Sequence, residues 1–189
     1  CGDEHRVFHS RPHLVMLVRG IVFANITVEE SPNWTLHFAW VTSLHVYGLR
    51  VHNVLPSGQS GPNADGIDID CSQDVLVENN YFDVGDDALC VKSGVNYLGR
   101  KFGRPSKNIL FRNNIIGHGH GVTIGSEMSG DIFNVTFENL EMHNTGCGPR
   151  MKAERGRGGV VDGITYRNIT AYDVGQMVQM TLAYHSGIP

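Results

Sequence analysis

The sequence is short of cysteine, of charge and of long apolar runs, and each shortage argues against a class of protein. Its 4 cysteines in 189 residues have no CxxC or Cys/His spacing of the zinc type, so we expect no metal site and no cofactor. Charged residues make up 18% and the formal net charge is −4, which is unlike the basic footprint of a nucleic-acid binder. The longest apolar run, HLVMLV, has the length of a strand, whereas a membrane-spanning helix needs about 20 apolar residues. We therefore expect neither a nucleic-acid partner nor a membrane one.

The length fits one domain with a substantial core, so residues 1–189 are interpreted as a single domain. The chain begins at Cys1 without an initiator Met or a signal-peptide pattern, which suggests a fragment or a processed product. Asn-x-Ser/Thr sequons suit a secreted glycoprotein, although three of them fall inside the repeat described next. The sequons begin at Asn25, Asn33, Asn134 and Asn168.

Short segments of β-branched and aromatic residues recur along the chain, whereas helical periodicity is hard to find. Each segment has two apolar positions with one residue between them. After two further residues come a third and a fourth position, again with one residue between them. A unit repeated at this spacing predicts a repeat protein. The second positions are Phe23, Val46, Val77, Phe111, Phe137 and Tyr166.

The residue before the third position has a constant character. Asn and Gly tolerate a left-handed backbone at low cost, so we expect the chain to turn sharply at this point in every repeat. Two short strands joined by a one-residue turn describe a coil of a parallel β-helix; a β-sandwich with irregular strands is the alternative. Asn80 and Asn114, at successive third positions, are then expected to form a hydrogen-bonded ladder inside. The turn residues are Asn25, Gly48, Asn79, Asn113, Asn139 and Asn168.

The segments that follow these repeats contain the unusual polar residues. NADGIDID, DVGDDALCV and GHGHGVTIG place Asp65, Asp86 and His120 ahead of similar apolar alternations, which predicts a column on one outer face of the stacked coils. Arg150 and Lys152, in GPRMKAE, are expected on the same face because alternate residues of a strand share a side. Cys90 is interpreted as a small buried apolar residue.

Paired carboxylates on one surface are what glycosidic hydrolysis needs, one protonated and one ionised, and crowding of like charges raises at least one pKa. The two cations are suited to an anionic substrate group. Simpler interpretations also exist for each polar residue. They are solvated or turn residues for Asp68 and Asp70, turn caps for Asp65 and Asp87, a structural histidine for His120, and a solvated pair for Arg150 and Lys152.

Four segments occur in an order and spacing that resemble the polygalacturonases of glycoside hydrolase family 28: NADGIDID, VGDDALCVKSG, GHGHGVTIGSEMSG and RMKAERGRGG. The resemblance extends from RPHLVML to LAYHSG. It implies an all-β, right-handed parallel β-helix, here a fragment lacking one or both end caps, that hydrolyses α-1,4-galacturonosyl linkages of polygalacturonate or pectin with inversion and without a metal. It also implies a secreted, extracellular or periplasmic protein, and we expect a monomer.

The resemblance also assigns roles. Asp86 would be the general acid, Asp65 and Asp87 would position and deprotonate the attacking water, and His120 would influence the ionisation of these carboxylates. The residues implied in substrate binding are Asn63, Arg150, Lys152 and Tyr184.

The insertion GVNYLGRKFGRPSKN, between Asp87 and His120, resembles the exo-acting branch of the family and favours exo over endo action. Carboxylates on neighbouring coils are closely spaced, which taken alone favours retention, so spacing and resemblance disagree on stereochemistry. Two other functions remain as alternatives: a pectate lyase, which needs calcium and a basic residue, and a non-catalytic pectin-binding β-helix.

Overall fold

The computed structural model describes residues 14–55 and 57–184. Within these residues every strand pair is parallel, and each pair joins counterparts in neighbouring coils. The architecture is a parallel β-helix, which confirms the fold expected from the repeat. One helix, α1 (Asn96–Phe102), lies in the described part, inside the insertion, and no helix there is long and apolar enough to cross a membrane.

The strands form three rows along the solenoid. The first row is β1 (Leu14–Met16), β4 (Leu36–Ala39), β7 (Ile67–Asp70), β10 (Leu89–Lys92), β13 (Val122–Gly125), β15 (Pro149–Lys152) and β17 (Gln179–Thr181). The second is β2 (Arg19–Ala24), β5 (Thr42–Tyr47), β8 (Gln73–Glu78), β11 (Ser106–Arg112) and the first parts of β14 (Ile132–His143) and β16 (Val161–Tyr172). The third is β3 (Thr27–Glu29), β6 (Arg50–His52), β9 (Tyr81–Asp83), β12 (Ile115–Ile116) and the second parts of β14 and β16.

The core consists of inward side chains that repeat from coil to coil. Phe111, Phe137 and Tyr166, at the second position of three successive repeats, are register partners and stack with ring centres 4.8 and 4.9 Å apart. Their planes are within 4° and 7° of parallel. The strand spacing of a β-sheet is about 4.8 Å, so identical register places aromatic rings at stacking distance.

The predicted left-handed turns are present in all six repeats. The φ angles are +58° at Asn25, +65° at Gly48, +56° at Asn79, +54° at Asn113, +52° at Asn139 and +51° at Asn168. Three of these side chains also bond along the stack: the amide of Asn139 donates to Asn113, and that of Asn168 donates to Asn139. The Asn residues thus satisfy a backbone demand and link neighbouring coils.

The predicted internal ladder is also present. Asn80 donates from its side chain to Oδ1 of Asn114 at 2.9 Å, and its own Oδ1 accepts the Leu49 amide at 2.9 Å. The Asn114 side chain donates to the Val77 carbonyl at 3.0 Å. The side-chain amides therefore bond to backbone groups beside the turns and to each other, and these hydrogen bonds compensate the cost of burying them.

A second left-handed column was not predicted. It lies one residue before the first apolar position of each repeat, where φ is +59° at Ser43, +59° at Asp74, +56° at Asn108 and +52° at Asn134. Asn108 donates to Asp74, and Asn134 donates to Asn108. Asn25, Asn134 and Asn168 are therefore all turn residues, which supports the structural interpretation of three of the four sequons.

The register next to the polar segments is one residue away from the predicted one. Leu89, and not Ala88, pairs with Ile67 and with Val122. Cys90 consequently faces the outer layer of the sheet, although it is fully buried there, with its thiol 3.5 Å from the carbonyl of Gly125. The prediction that Cys90 is buried was right, but the expected alternation was wrong.

This shift changes which residues occupy equivalent positions. Asp65, Asp87 and His120 each stand two residues ahead of one of the paired inward residues. The predicted column of Asp65, Asp86 and His120 therefore has Asp87 at the equivalent position, with Asp86 one residue earlier.

Candidate active site

A bend before β10 brings Asp86 and Asp87 to one site. Neither residue belongs to the strand, so the rule that neighbours on a strand point to opposite faces does not apply to them. Oδ1 of Asp86 accepts the backbone N–H of Asp87 at 2.8 Å, which fixes the bend locally. The adjacency of two carboxylates is therefore accommodated without placing either of them in the apolar core.

Asp86 is the carboxylate on the solvent side of the site. Nδ1 of His120 lies 2.8 Å from its Oδ1, and the amide of Asn63 makes a long hydrogen bond of 3.4 Å to its Oδ2. Burial tends to raise the pKa of Asp86, but the hydrogen bond and charge of His120 and the charge of Lys152 outweigh it, and the pKa lies below its usual value. The same hydrogen bond raises the pKa of His120.

Asp87 forms ion pairs with Arg150 and Lys152, the two predicted substrate-binding cations. It is 0% exposed, and Nζ of Lys152 lies 2.7 Å from Oδ2 while a guanidinium nitrogen of Arg150 lies 3.0 Å from Oδ1. The Thr123 hydroxyl donates to Oδ1 at 2.7 Å. Burial opposes the charge of Lys152, yet Asp87 keeps the pKa of this lysine above its usual value.

Tyr184 covers the two cations. Its ring centre lies 4.7 Å from Nζ of Lys152 and 5.4 Å from the guanidinium carbon of Arg150, within the range of cation–π contacts. Gln179, which pairs with Arg150 across neighbouring strands, accepts a hydrogen bond of 2.6 Å from Nε of this arginine. The four residues form the end of the site towards the last described coils.

Asp65 differs from its neighbours because it is buried without a cation. It is 2% exposed, its Oδ1 has no hydrogen-bond partner, and no ion pair within residues 14–55 and 57–184 includes it. Burial raises its pKa well above the usual range. The charges of Asp68, Asp87 and Asp86 raise the pKa further, and the charge of Lys92 opposes them. Of the two carboxyl groups, Asp65 therefore holds a proton more readily than Asp86.

Comparisons with known proteins address what kind of site this is. The family model described as glycosyl hydrolases family 28 matches residues 9–189. The chain belongs to this family. Family 28 membership thus confirms the resemblance carried by the four segments.

Several relatives in family 28 cover most of this chain. It is 32% identical over 182 residues to a probable polygalacturonase of Vitis vinifera and 30% identical over 184 residues to an endo-polygalacturonase of Pectobacterium parmentieri, covering 94% and 93% of this chain. The crystal structure of a hyperthermoactive exopolygalacturonase from Thermotoga maritima matches with a TM-score of 0.85 and 30% identity over 97% of this chain. The chain spans 36%, 41% and 41% of the length of these three proteins.

The simpler interpretation of Asp68 and Asp70 as solvated or turn residues was wrong. Asp68 is 0% exposed and lies 3.6 Å from Nζ of Lys92. Asp70 is partly buried, with Nε2 of His37 3.2 Å from one oxygen and the Gly94 amide donating to the other at 3.0 Å. Both residues belong to a polar layer on the outer face of the first strand row.

Sequence reasoning missed the groups that hold this family 28 site together. Thr123 and Gln179 fix Asp87 and Arg150, and Lys92 and Glu127 form a partly buried ion pair of 3.1 Å beside Asp68. The first three are outward residues of β13, β17 and β10, so a correct register would have placed them on the site.

The ligand-type atoms of Asp86, Asp87 and His120 lie within 4.8 Å of one another. Asp87 already contacts two cations there, and a third positive charge would be repelled by them. None of these residues is assigned as a metal ligand.

Proposed function

We propose that this protein hydrolyses α-1,4-galacturonosyl linkages of polygalacturonate or pectin, with Asp65, Asp86, Asp87 and His120 as its catalytic residues. The observation that carries the proposal is the charge pattern of the site. The pKa of Asp86, near solvent, is lowered, the pKa of the buried Asp65 is raised, and a pair of cations lies beside them. Hydrolysis of a glycosidic bond needs one protonated and one ionised carboxyl group.

The substrate-binding residues follow from the same arrangement. Arg150 and Lys152 present positive charge suited to a galacturonate carboxylate, and Asn63 reaches the solvent side of Asp86. Tyr184 lies over both cations and is proposed to pack against the bound sugar.

Asp86 is proposed as the group that meets the glycosidic oxygen, because it is the least buried of the three aspartates. In the resting protein Lys152 helps to keep it ionised. A substrate carboxylate that neutralises Lys152 weakens this effect, so substrate binding favours protonation of Asp86 and leaves Asp65 to accept the proton of the attacking water. His120 orients Asp86 and moderates its charge.

A lyase mechanism fits the site less well. A lyase needs a basic residue that is free to remove a proton, whereas Lys152 and Arg150 are both held by Asp87 in buried ion pairs. A non-catalytic binder has no need for a buried carboxyl that lacks a cation, since this arrangement costs folding free energy.

Inversion is the stereochemistry we propose. The short distance between Asp86 and Asp87, within 4.8 Å, resembles the spacing of a retaining pair. Asp87, however, is 0% exposed and both of its oxygens contact cations, so it is not placed to attack a sugar. A bound water then remains as the nucleophile, and proton NMR of the first-formed anomer tests this.

Exo action is proposed as the finer specificity. Helix α1 contacts the loop after β15, since the Arg100 side chain donates to the carbonyls of Gly156 and Arg157, and Arg157 donates to Asn96 at 2.7 Å. An added wall of this kind is suited to closing one end of a cleft. Named relatives of both endo and exo types match the chain, so the pattern of products is the deciding observation.

We further propose a secreted, extracellular or periplasmic location, from the family resemblance, and a monomeric state.

The experiment that tests the proposed function is product analysis on polygalacturonate with and without a chelator. We expect new reducing ends, no ultraviolet absorbance from unsaturated sugars and no effect of the chelator. Monogalacturonate as the first product supports exo action, and a mixture of oligomers refutes it. Unsaturated product that disappears with the chelator would replace the hydrolase proposal by a lyase.

A further inference from the structure

A second buried aspartate lies directly beside Asp65. Asp68 is on β7, facing the outer layer, and its register partners are His37 and Cys90. One oxygen of Asp65, one oxygen of Asp68 and the sulfur of Cys90 all lie within 4.8 Å of one another. Exposure is 2% for Asp65 and 0% for Asp68, so neither carboxyl group is solvated as in water.

Too few cations lie nearby to neutralise both of these carboxyl groups. Asp87 takes up the pair of cations at the other end of the site, and Lys92 is shared between Asp68, at 3.6 Å, and Glu127, at 3.1 Å. Oδ1 of Asp65 and both oxygens of Asp68 have no hydrogen-bond donor in the described part of the chain. A buried carboxylate without donors or a cation is unstable, and a proton removes the deficit.

We propose that Asp68 is a positioning residue whose buried carboxylate keeps a proton on Asp65. Asp68 is fully covered, so it does not touch the substrate, and it acts through its charge on the neighbouring carboxyl group. Burial raises the pKa of Asp68 itself to about 6, against the opposing charges of Lys92 and His37. Above that pH the negative charge of Asp68 is present and opposes loss of the proton from Asp65.

The groups that face the pair set the sign of the effect. Negative charges around the pair favour retention of the proton, and positive charges oppose it. The charged and titratable groups are Asp68, Lys92, Asp86 and Asp87 around Asp65, and Lys92, His37, Asp87 and Glu127 around Asp68, with the Cys90 thiol beside both.

The inference deepens the proposed function and rests on it for its catalytic meaning. If the active free enzyme carries its proton on Asp65, the alkaline limb of kcat/KM reports the loss of that proton. Asp68 then sets the upper pH limit of activity without touching the substrate.

The test that does not depend on activity is carbon-13 NMR titration of aspartate carboxyl groups. In Asp68→Asn we expect the Asp65 midpoint to move to lower pH, because a like charge has been removed. Asp70→Asn is the matched control, since Asp70 lies two residues further along the same strand and face but is held by His37 and Gly94. No movement in Asp68→Asn, or an equal movement in the control, would overturn the proposal.

Lys92→Gln provides a second variant with the opposite expectation. Loss of the positive charge moves the Asp65 midpoint to higher pH, so the two substitutions are distinguished by sign even if one of them folds poorly. The kcat/KM profile on polygalacturonate is then measured, and its alkaline limb should move in the same two directions. A uniform loss at every pH in Asp68→Asn indicates a merely structural role and refutes the positioning role. If the wild-type protein does not hydrolyse polygalacturonate, the proposed function fails while the NMR titration still decides the role of Asp68.

Discussion

Removal of the Lys152 ammonium tests the buried charge arrangement on which the site depends. In Lys152→Met the buried Asp87 carboxylate loses its ammonium partner and retains Arg150 at 3.0 Å, the Thr123 hydroxyl at 2.7 Å and the Cys90 thiol at 3.8 Å. Breaking a buried ion pair by removing one partner costs about 3–5 kcal/mol. Because these partners remain, we expect a loss of about 3 kcal/mol, which lowers Tm by roughly 6–12 °C for a chain of this size.

A double-mutant cycle with Asp87→Asn separates this cost from other effects of the substitution. In the double variant the unpaired charge is absent. The destabilisations of the two single variants should therefore sum to more than that of the double variant, by about 1–3 kcal/mol. Urea unfolding measures each free energy, and Lys101→Met, at an exposed lysine of α1, is the control expected to stay within about 0.5 kcal/mol. Hydrolytic activity should not return with stability, because the substrate cation is still missing.

Additive free energies in this cycle, with a coupling below about 0.5 kcal/mol, contradict the reasoning. They would mean that Asp87 does not depend on Lys152 for its burial.

Three further predictions concern the solenoid and its pH dependence. Asn80→Ala leaves Asn114 and buried backbone groups without partners, so it should lower the free energy of unfolding in urea by about 2–5 kcal/mol. The control Asp162→Ser, at an exposed position, should lower it by under about 0.5 kcal/mol. Asn139→Ala should cost about 1–2 kcal/mol because φ is +52°, whereas Asn139→Gly should cost less; equal losses would refute the turn argument. Between its usual pKa of 3.8 and its folded pKa of about 6, Asp68 keeps a proton that the unfolded chain has lost, so its contribution to the unfolding free energy falls with rising pH by up to about 1.4 kcal/mol per unit. Urea unfolding across this window should show a shallower fall in Asp68→Asn, and an unchanged slope would count against the buried titration.

The coil architecture could be predicted because each repeat makes a local demand on the backbone. A backbone position with positive φ is adopted most easily by Gly or Asn, so the recurrence of Asn79 and Asn113 at one position of the repeat indicates the turn from sequence alone. The second column was missed because Ser43 and Asp74 occupy it as well as Asn, and these residue types are common in many other contexts. The coil architecture could therefore be predicted, but the second column of turns could not.

The register at the site could not be predicted in the same way. The run from Ala88 to Val91 is apolar throughout and buried on both faces, so its pattern does not tell which residues point inward. The pairing of Leu89 with Ile67 decides which residues point inward, and this pairing joins two different coils.

The direction of the pKa shifts at the site could not be read from the sequence. Asp86 is predicted to be the general acid and Asp65 to help deprotonate the water, and in the resting protein the pKa of Asp65 is raised while that of Asp86 is lowered. Burial and the charge of Asp68 raise the pKa of Asp65, whereas the hydrogen bond and charge of His120 and the charge of Lys152 lower the pKa of Asp86. Proton distribution among crowded carboxyl groups depends on such distant charges.

The most direct test of the central claim is hydrolysis of polygalacturonate in water enriched in oxygen-18 by the wild-type protein and by Asp86→Asn. We predict oxygen-18 in the new reducing ends of the wild-type products, and a rate in Asp86→Asn that is lower by about 100-fold or more at unchanged Tm. A wild-type rate in Asp86→Asn, or wild-type cleavage without incorporation of oxygen-18, contradicts the account.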